Sequence, residues 1–363
     1  MPNSIDIVVE NRKGDEAEAA AASASSVLTR VNAGYFTISL SLGAQAVLLN
    51  TLIDDHATTK LKSNFNFNFV VADRILGPWA VLMTWLSLCT LTLISTLYIL
   101  RCVFHLWLVK AEYSDRVAVN FLFVPWISWL LLLRATPQRV LVRLPHEALL
   151  WALVAPIVAL DIKLYGQWFT SEKRPLSAVA NPTSHLPMVG NFVGAWAAAA
   201  AGWRETALCL FAVGLVHYVV VFITLYQRLT GFRAALRPVS FLFFGTPSAA
   251  CLAWSAISGG FGVACKMLFF LSLFLLASLM CRPAYFKKSI KKFSVAWWAY
   301  SFPISFVAVA STQYAEEVTG VAAGGLMLLL SSLSLLVFVA MLILTALNTD
   351  RLLRQNDSSL SFT

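Results

Sequence analysis

The chain has 363 residues, 59% of them hydrophobic and only 12% charged, with a mean hydropathy of +0.74, which excludes an ordinary soluble globule. Two or three soluble domains are excluded as well, because the 27 Lys and Arg and 18 Asp and Glu residues cluster and leave long charge-free gaps. The net charge of +9 suits attraction of anions and of acidic lipid headgroups.

Residues 1–30 are polar and alanine-rich and lack the basic start and short apolar core of a signal peptide, so they are expected to form a disordered cytosolic tail, too short for a folded regulatory domain. A helix needs roughly 20 apolar residues to cross the hydrocarbon layer. In chain order, the runs free of Asp, Glu, Lys and Arg are 31–53, 75–100, 117–133, 148–160, 176–203, 206–227, 239–265, 267–281, 293–315 and 318–349. Three of these, 117–133, 148–160 and 267–281, are short, and span only if packed against other helices or extended past a flanking charge that snorkels. In the first loop NFNFNF (64–69) alternates like a strand, but interfacial anchoring of its phenylalanines is the better reading. A β-barrel needs short alternating segments, and these runs are apolar on every face. The predicted fold is an all-α polytopic membrane protein of ten transmembrane helices over 31–349, with a short cytosolic tail at 350–363.

On that topology 19 of the 27 basic residues fall on the side holding both termini and 8 on the other, which predicts cytosolic termini. Lys287, Lys288, Lys291 and Lys292 lie on the same side and read as a topology signal, with anionic headgroups as the alternative. The six cysteines form no CxxC or Cys/His cluster and read as buried small apolar residues. The Asn356-Asp357-Ser358 sequon lies in the cytosolic tail and is expected to be unused. His56, His105, His146, His185 and His217 are dispersed, so neither a metal site nor a metalloenzyme is expected. Gly259, Gly260 and Gly262 follow no strand and read as a turn between spans; no phosphate loop is present. No enzyme activity, cofactor or nucleic-acid partner is expected.

Three odd-numbered spans carry an internal proline preceded by phenylalanine, in NFLFVPW (120–126), FLFFGTPS (241–248) and SVAWWAYSFP (294–303). A mid-helix proline frees a carbonyl that lipid does not accept but a packed or watery interior does. Pro125, Pro247 and Pro303 are therefore expected to be kinks facing protein or a lumen, with Pro182 and Pro187 at the start of the fifth span. The even spans place Pro78 and Pro156 differently. This pattern predicts odd helices in an inner ring around a central path and even helices outside. No inner candidate carries a mid-membrane acid or base, which favours a channel over an ion-coupled carrier. Ser39, Ser41, Ser128, Ser248 and Ser301 are candidate lining groups, although a serine in a membrane helix is more often a packing residue.

ANPTSHLPMVGNFVGA (180–195), LYGQWF (164–169), VFITLYQRL (221–229) and SVAWWAYSFP (294–303) closely resemble the plant slow-type anion channel family, over residues 32–349. That family is related to bacterial tellurite-resistance proteins and fungal malate transporters. The resemblance implies a channel domain of ten helices in five hairpins, odd helices around a pore in each protomer, and a trimer in the membrane lipid. It implies that Phe302, directly before Pro303, occludes the pore at its middle. A ring across a narrow apolar neck blocks hydrated ions by sterics and dewetting and opens by a rotamer change. Some relatives place a second phenylalanine on the third helix where this chain has Leu131, which leaves a two-ring gate in doubt. Nitrate and chloride are the implied ions, and a plant plasma membrane the implied site. Members regulated by protein kinases carry long tails; here only Ser23, Ser25 and Ser26 cluster, as in the short-tailed branch. Three readings stand: an anion-selective channel gated by Phe302, a secondary transporter of an organic anion such as malate, and an electrically silent or weakly active subunit that modulates related channels in mixed trimers.

Overall fold

The computed structural model describes residues 27–53, 69–136, 146–170, 176–227, 236–287 and 293–349. The N-terminal serines, residues 64–68 of the alternating stretch, Lys288, Lys291, Lys292 and the C-terminal sequon lie outside the described residues. Ten main helices follow in chain order: α1 (Phe36–Ile53), α2 (Phe69–Phe104), α3 (Val124–Ala135), α4 (His146–Thr170), α5 (Leu186–Ala200), α6 (Arg204–Tyr226), α7 (Leu242–Ser258), α8 (Val263–Met280), α9 (Ser301–Glu317) and α10 (Val321–Leu347). Among the described residues nine helical segments are long and apolar enough to cross a membrane. The remaining one, α5, has 15 residues and gains length from the 3₁₀ turn Pro182–His185 before it. The chain is an all-α multi-pass membrane protein.

The odd helices pack each on the next, α1 on α3, α3 on α5, α5 on α7, α7 on α9, and α9 back on α1, closing a ring of five. Each even helix pairs with the ring helix before it and also touches the one after it, so the even helices fill the outer grooves. Burial separates the layers: 72%, 67%, 89% and 89% of the spans holding α1, α3, α7 and α9 are buried, against 22–39% for the five even helices. In α5, 13 of 15 residues are buried. The even helices turn large apolar side chains such as Trp85, Leu93, Phe274 and Leu336 outward, as lipid requires.

The layers also differ at their starts. A 3₁₀ turn leads into α1 (Ala33–Tyr35), α5 (Pro182–His185), α7 (Pro238–Phe241) and α9 (Val295–Tyr300), and the short helix Ala118–Phe121 plus a turn leads into α3. No even helix has such a lead-in among the described residues. Pro125 is thus the second residue of α3 and Pro303 the third of α9, where the first-turn amides lack intrahelical partners anyway. They start helices and do not kink them; Pro247 alone of the three lies inside a helix, α7.

Two boundaries move for physical reasons. The run 239–265 breaks at its glycines: Gly259, with φ 75°, ends α7 in the left-handed conformation that glycine adopts without strain, and Lys266 falls inside α8. The short run 148–160 extends through Asp161 and Lys163 to Thr170. Lys163 reaches out over the ring of Tyr113 on the short surface helix Leu106–Ser114, whereas Asp161 does not snorkel and is 4% exposed. Among the cysteines only Cys251 and Cys265 are buried; Cys89, Cys209 and Cys281 lie on exposed faces.

That surface helix also supplies a buried ion pair. Arg101 Nη2 lies 2.6 Å from Glu112 Oε1, Arg101 Nη1 donates to the Val31 carbonyl ahead of α1, and the Tyr98 hydroxyl donates to Glu112 Oε2 at 3.1 Å. Burial holds the Glu112 carboxyl above the ordinary carboxylate range, although Arg101, Tyr98 and the Ala33 amide all act to lower it.

Candidate functional site

The start of α9 gathers most of what distinguishes the ring. Pro303 presses on α7 so closely that a Cβ on Gly245 would sit 2.6 Å from the Pro303 Cβ, a contact real side chains do not make. Glycine is therefore required there for the two helices to meet. On the other flank, Ser305 Oγ lies 3.0 Å from Gln45 Oε1 of α1 and 2.9 Å from Ser334 Oγ of α10, and Ser334 donates to the same Gln45 oxygen at 3.0 Å.

These contacts fix the rotation of α9. At about 100° per residue, Pro303 lies about 160° round the helix from Ser305, and Ala315 about 80° round in the other sense. Ala315 packs with Ala323 and Met327 of α10, which marks the outer side. Phe302, Phe306, Val309 and Gln313 occupy the arc between the Ser305 and Pro303 flanks, between α1 and α7, and look into the ring. Phe302 is 1% exposed and Phe306 2%. Their centroids are 6.1 Å apart with planes at 76°, an edge-to-face pair.

The predicted serines divide. Ser41 donates to the Trp298 carbonyl at 3.1 Å and ties α1 to the lead-in of α9; Ser128 donates to the Val124 carbonyl at 2.8 Å; Ser248 donates to the Phe244 carbonyl at 3.0 Å. These three are occupied with helix carbonyls. Ser39 and Ser301 are buried with hydroxyls that have no hydrogen-bond partner among the described residues. Leu131 faces α1, its Cβ 3.4 Å from where a Cβ on Gly43 would stand.

Three residues were not singled out in the sequence. Gln45 is a lone amide in the apolar stretch SLSLGAQAVLL, uncharged and so invisible to a search for charges. Phe306 is one of 25 phenylalanines, and only its four-residue spacing from Phe302 marks it. Asp161 ends the charge-free run 148–160 and resembled a flank. It faces Asn191 of α5 and Tyr165 one turn on, yet its Oδ1 has no hydrogen bond of ordinary geometry and no ion partner among the described residues. The Tyr165 ring stacks on His217 of α6.

Residues 30–346, from the start of the ring to the last turn of α10, match the profile of the voltage-dependent anion channel family. In Arabidopsis thaliana, the S-type anion channel SLAH1 is 48% identical over 91% of this chain and 85% of its own length. The S-type anion channel SLAH4 is 47% identical over 96% and 92%. The guard cell S-type anion channel SLAC1 is 41% identical over 88% of this chain and 56% of its own. The match takes in both layers of helices and every residue of the α9 constellation, and the chain belongs to the S-type anion channel family.

Proposed function

We propose that the interior of the five-helix ring is an anion pathway, that it passes nitrate and chloride, and that Phe302 closes it near its middle. The observation that carries this reading is the position of Phe302 on the α9 face between the α1 and α7 contacts, buried and turned into the ring. The charge distribution supports it. The ring helices hold no Asp, Glu, Lys or Arg away from their ends: Arg134 is in the last turn of α3, and Glu316 and Glu317 finish α9. An anion inside would meet no fixed charge to trap it, and aromatic ring edges carry a partial positive charge that suits it. Tails at 1–30 and 350–363 on a 31–349 channel domain, both cytosolic, complete the reading. So do residence in the plasma membrane, a homotrimer or mixed trimer, and kinase action on Ser23, Ser25 or Ser26. The basic bias of the loops supports the cytosolic tails.

Voltage clamp of cells expressing Phe302→Ala, with surface protein quantified, tests the gate. Anion current well above wild type is expected. Normal surface level with no anion current in any bath, both in this variant and after Phe306 is removed with it, would overturn it.

Asp161 favours a second reading, a proton-coupled carrier of an organic anion such as malate, with this buried carboxyl as the proton site. It requires saturable, pH-dependent uptake that loses its pH dependence in Asp161→Asn; linear, pH-independent current excludes it. A silent modulatory subunit, favoured by the absence of a third-helix ring at Leu131, requires that the chain alter a partner's current while silent itself, even after Phe302 is truncated.

A further inference from the structure

We infer that the constriction is a two-ring plug in which Phe306, on the same helix as Phe302, forms an independent second barrier one turn further along the pathway. This rests on the reading of Phe302 as the occluding ring and extends it. Four observations converge. Phe302 and Phe306 lie on the same arc of α9, about 40° apart in rotation and about 6 Å apart along the axis. Both are buried, at 1% and 2% exposure, and they meet edge to face with centroids 6.1 Å apart. Leu131 of α3 packs against Gly43 of α1 and brings no aromatic ring to the same neck. Ser305, between the two phenylalanines, is anchored to Gln45 of α1 and Ser334 of α10, while Pro303 is pinned against Gly245 of α7. Anchored on both flanks, α9 cannot turn one ring outward without breaking one of these contacts, so both rings stay presented to the interior.

The consequence is mechanical. If Phe302 rotates, it loses the edge of Phe306 that it packs against, and Phe306 still narrows the path one turn on. Opening therefore requires both rings to move, and removing one leaves a partial block. The second ring also sets a size limit that Phe302 alone does not, because a permeant anion must clear two apolar layers in succession.

The test is voltage clamp of the full chain as wild type, Phe302→Ala, Phe306→Ala and the double variant, with surface protein quantified and bath anions graded from chloride and nitrate to thiocyanate and gluconate. The double variant is expected to carry more current than Phe302→Ala and to admit a larger anion, because the second apolar layer is gone. If Phe302→Ala conducts and the double variant matches it in both current and size limit, the second ring is refuted while the Phe302 gate stands. If Phe302→Ala is silent and the double variant conducts, Phe306 closes the path unaided, which supports the inference. If both reach the surface and are silent, the gate reading and the second ring fall together. Phe306→Leu in the Phe302→Ala background keeps apolar bulk and removes the ring. It guards against misfolding of the alanine variant and is expected to raise the size limit, whereas an unchanged limit refutes the role of the ring.

Discussion

The ring and the layer around it use the same hairpins under opposite constraints. Ring helices are 12 to 18 residues long, follow 3₁₀ or broken lead-ins, and approach one another through glycines such as Gly43 and Gly245. Outer helices run 18 to 36 residues and turn bulky apolar side chains outward. A helix against lipid must satisfy its own backbone, while one sheathed by other helices is free of that demand. The outer layer is what permits the irregular backbone of the ring. Buried polar groups join the layers, Gln45 with Ser305 and Ser334 and Asp161 with Asn191, and Arg101 with Glu112 joins α2 to the surface helix.

Breaking the buried ion pair outside the ring should cost most. Arg101→Ala leaves Glu112 buried without its cation and is expected to cost about 3–5 kcal/mol, read as a lower melting temperature in detergent. The same family of variants has a pH signature. In Arg101→Met the Glu112 carboxyl keeps its burial and loses the charge that lowers it, so the folded state binds a proton more tightly than the unfolded one. Stability is then fullest below the ordinary carboxylate range and falls as pH rises through the raised value, so this variant should melt higher at pH 5 than at pH 7.5 relative to wild type.

Next comes contact within the ring. Gly245→Val forces a side chain into Pro303 and should cost about 1–3 kcal/mol and much of the surface expression. Gly166→Ala on α4, where a Cβ meets nothing within 4 Å, is the matched outer control and should melt like wild type. Gln45→Leu removes the acceptor shared by two hydroxyls, and about 1 kcal/mol is expected, since hydrogen bonds between membrane helices contribute modestly. Apart from the Gly166 control, the smallest effect, within about 0.5 kcal/mol, belongs to Trp85→Leu on the outward face of α2. An outer-face substitution that destabilises as much as Gly245→Val would erase the distinction between the layers.

The fold class was legible because lipid imposes a crude and nearly exceptionless rule on charge, and nine of ten charge-free runs lie on helices long enough to cross a membrane. Helix ends were less legible. Lys266 was read as a boundary and lies within α8, because a helix continues past a charge whose side chain reaches the interface. The prolines pointed to the ring for a partly different reason from the one expected: Pro125 and Pro303 begin helices where a missing amide costs little. The environment of α9 was not legible. Nothing local to YSFPISF says that Ser305 meets Gln45 and Ser334, residues 260 and 29 positions away, or that this contact leaves Phe306 facing inward.

The common start of the ring helices has an electrical consequence. Successive spans alternate in direction, so the five odd helices run parallel and their lead-ins, four of them 3₁₀, lie at one end of the ring. Each aligned helix carries about half a positive charge at its first turn and half a negative charge at its last. The antiparallel outer helices offset this field at a distance, but an ion on the axis is nearer the ring and feels its helices more strongly. The interior of the ring is therefore polarised end to end by backbone alone, with amide hydrogens gathered at one end and carbonyls at the other. With the ring as the proposed anion pathway, the conduit is asymmetric before any side chain is considered, and its two directions of flow are inequivalent by construction.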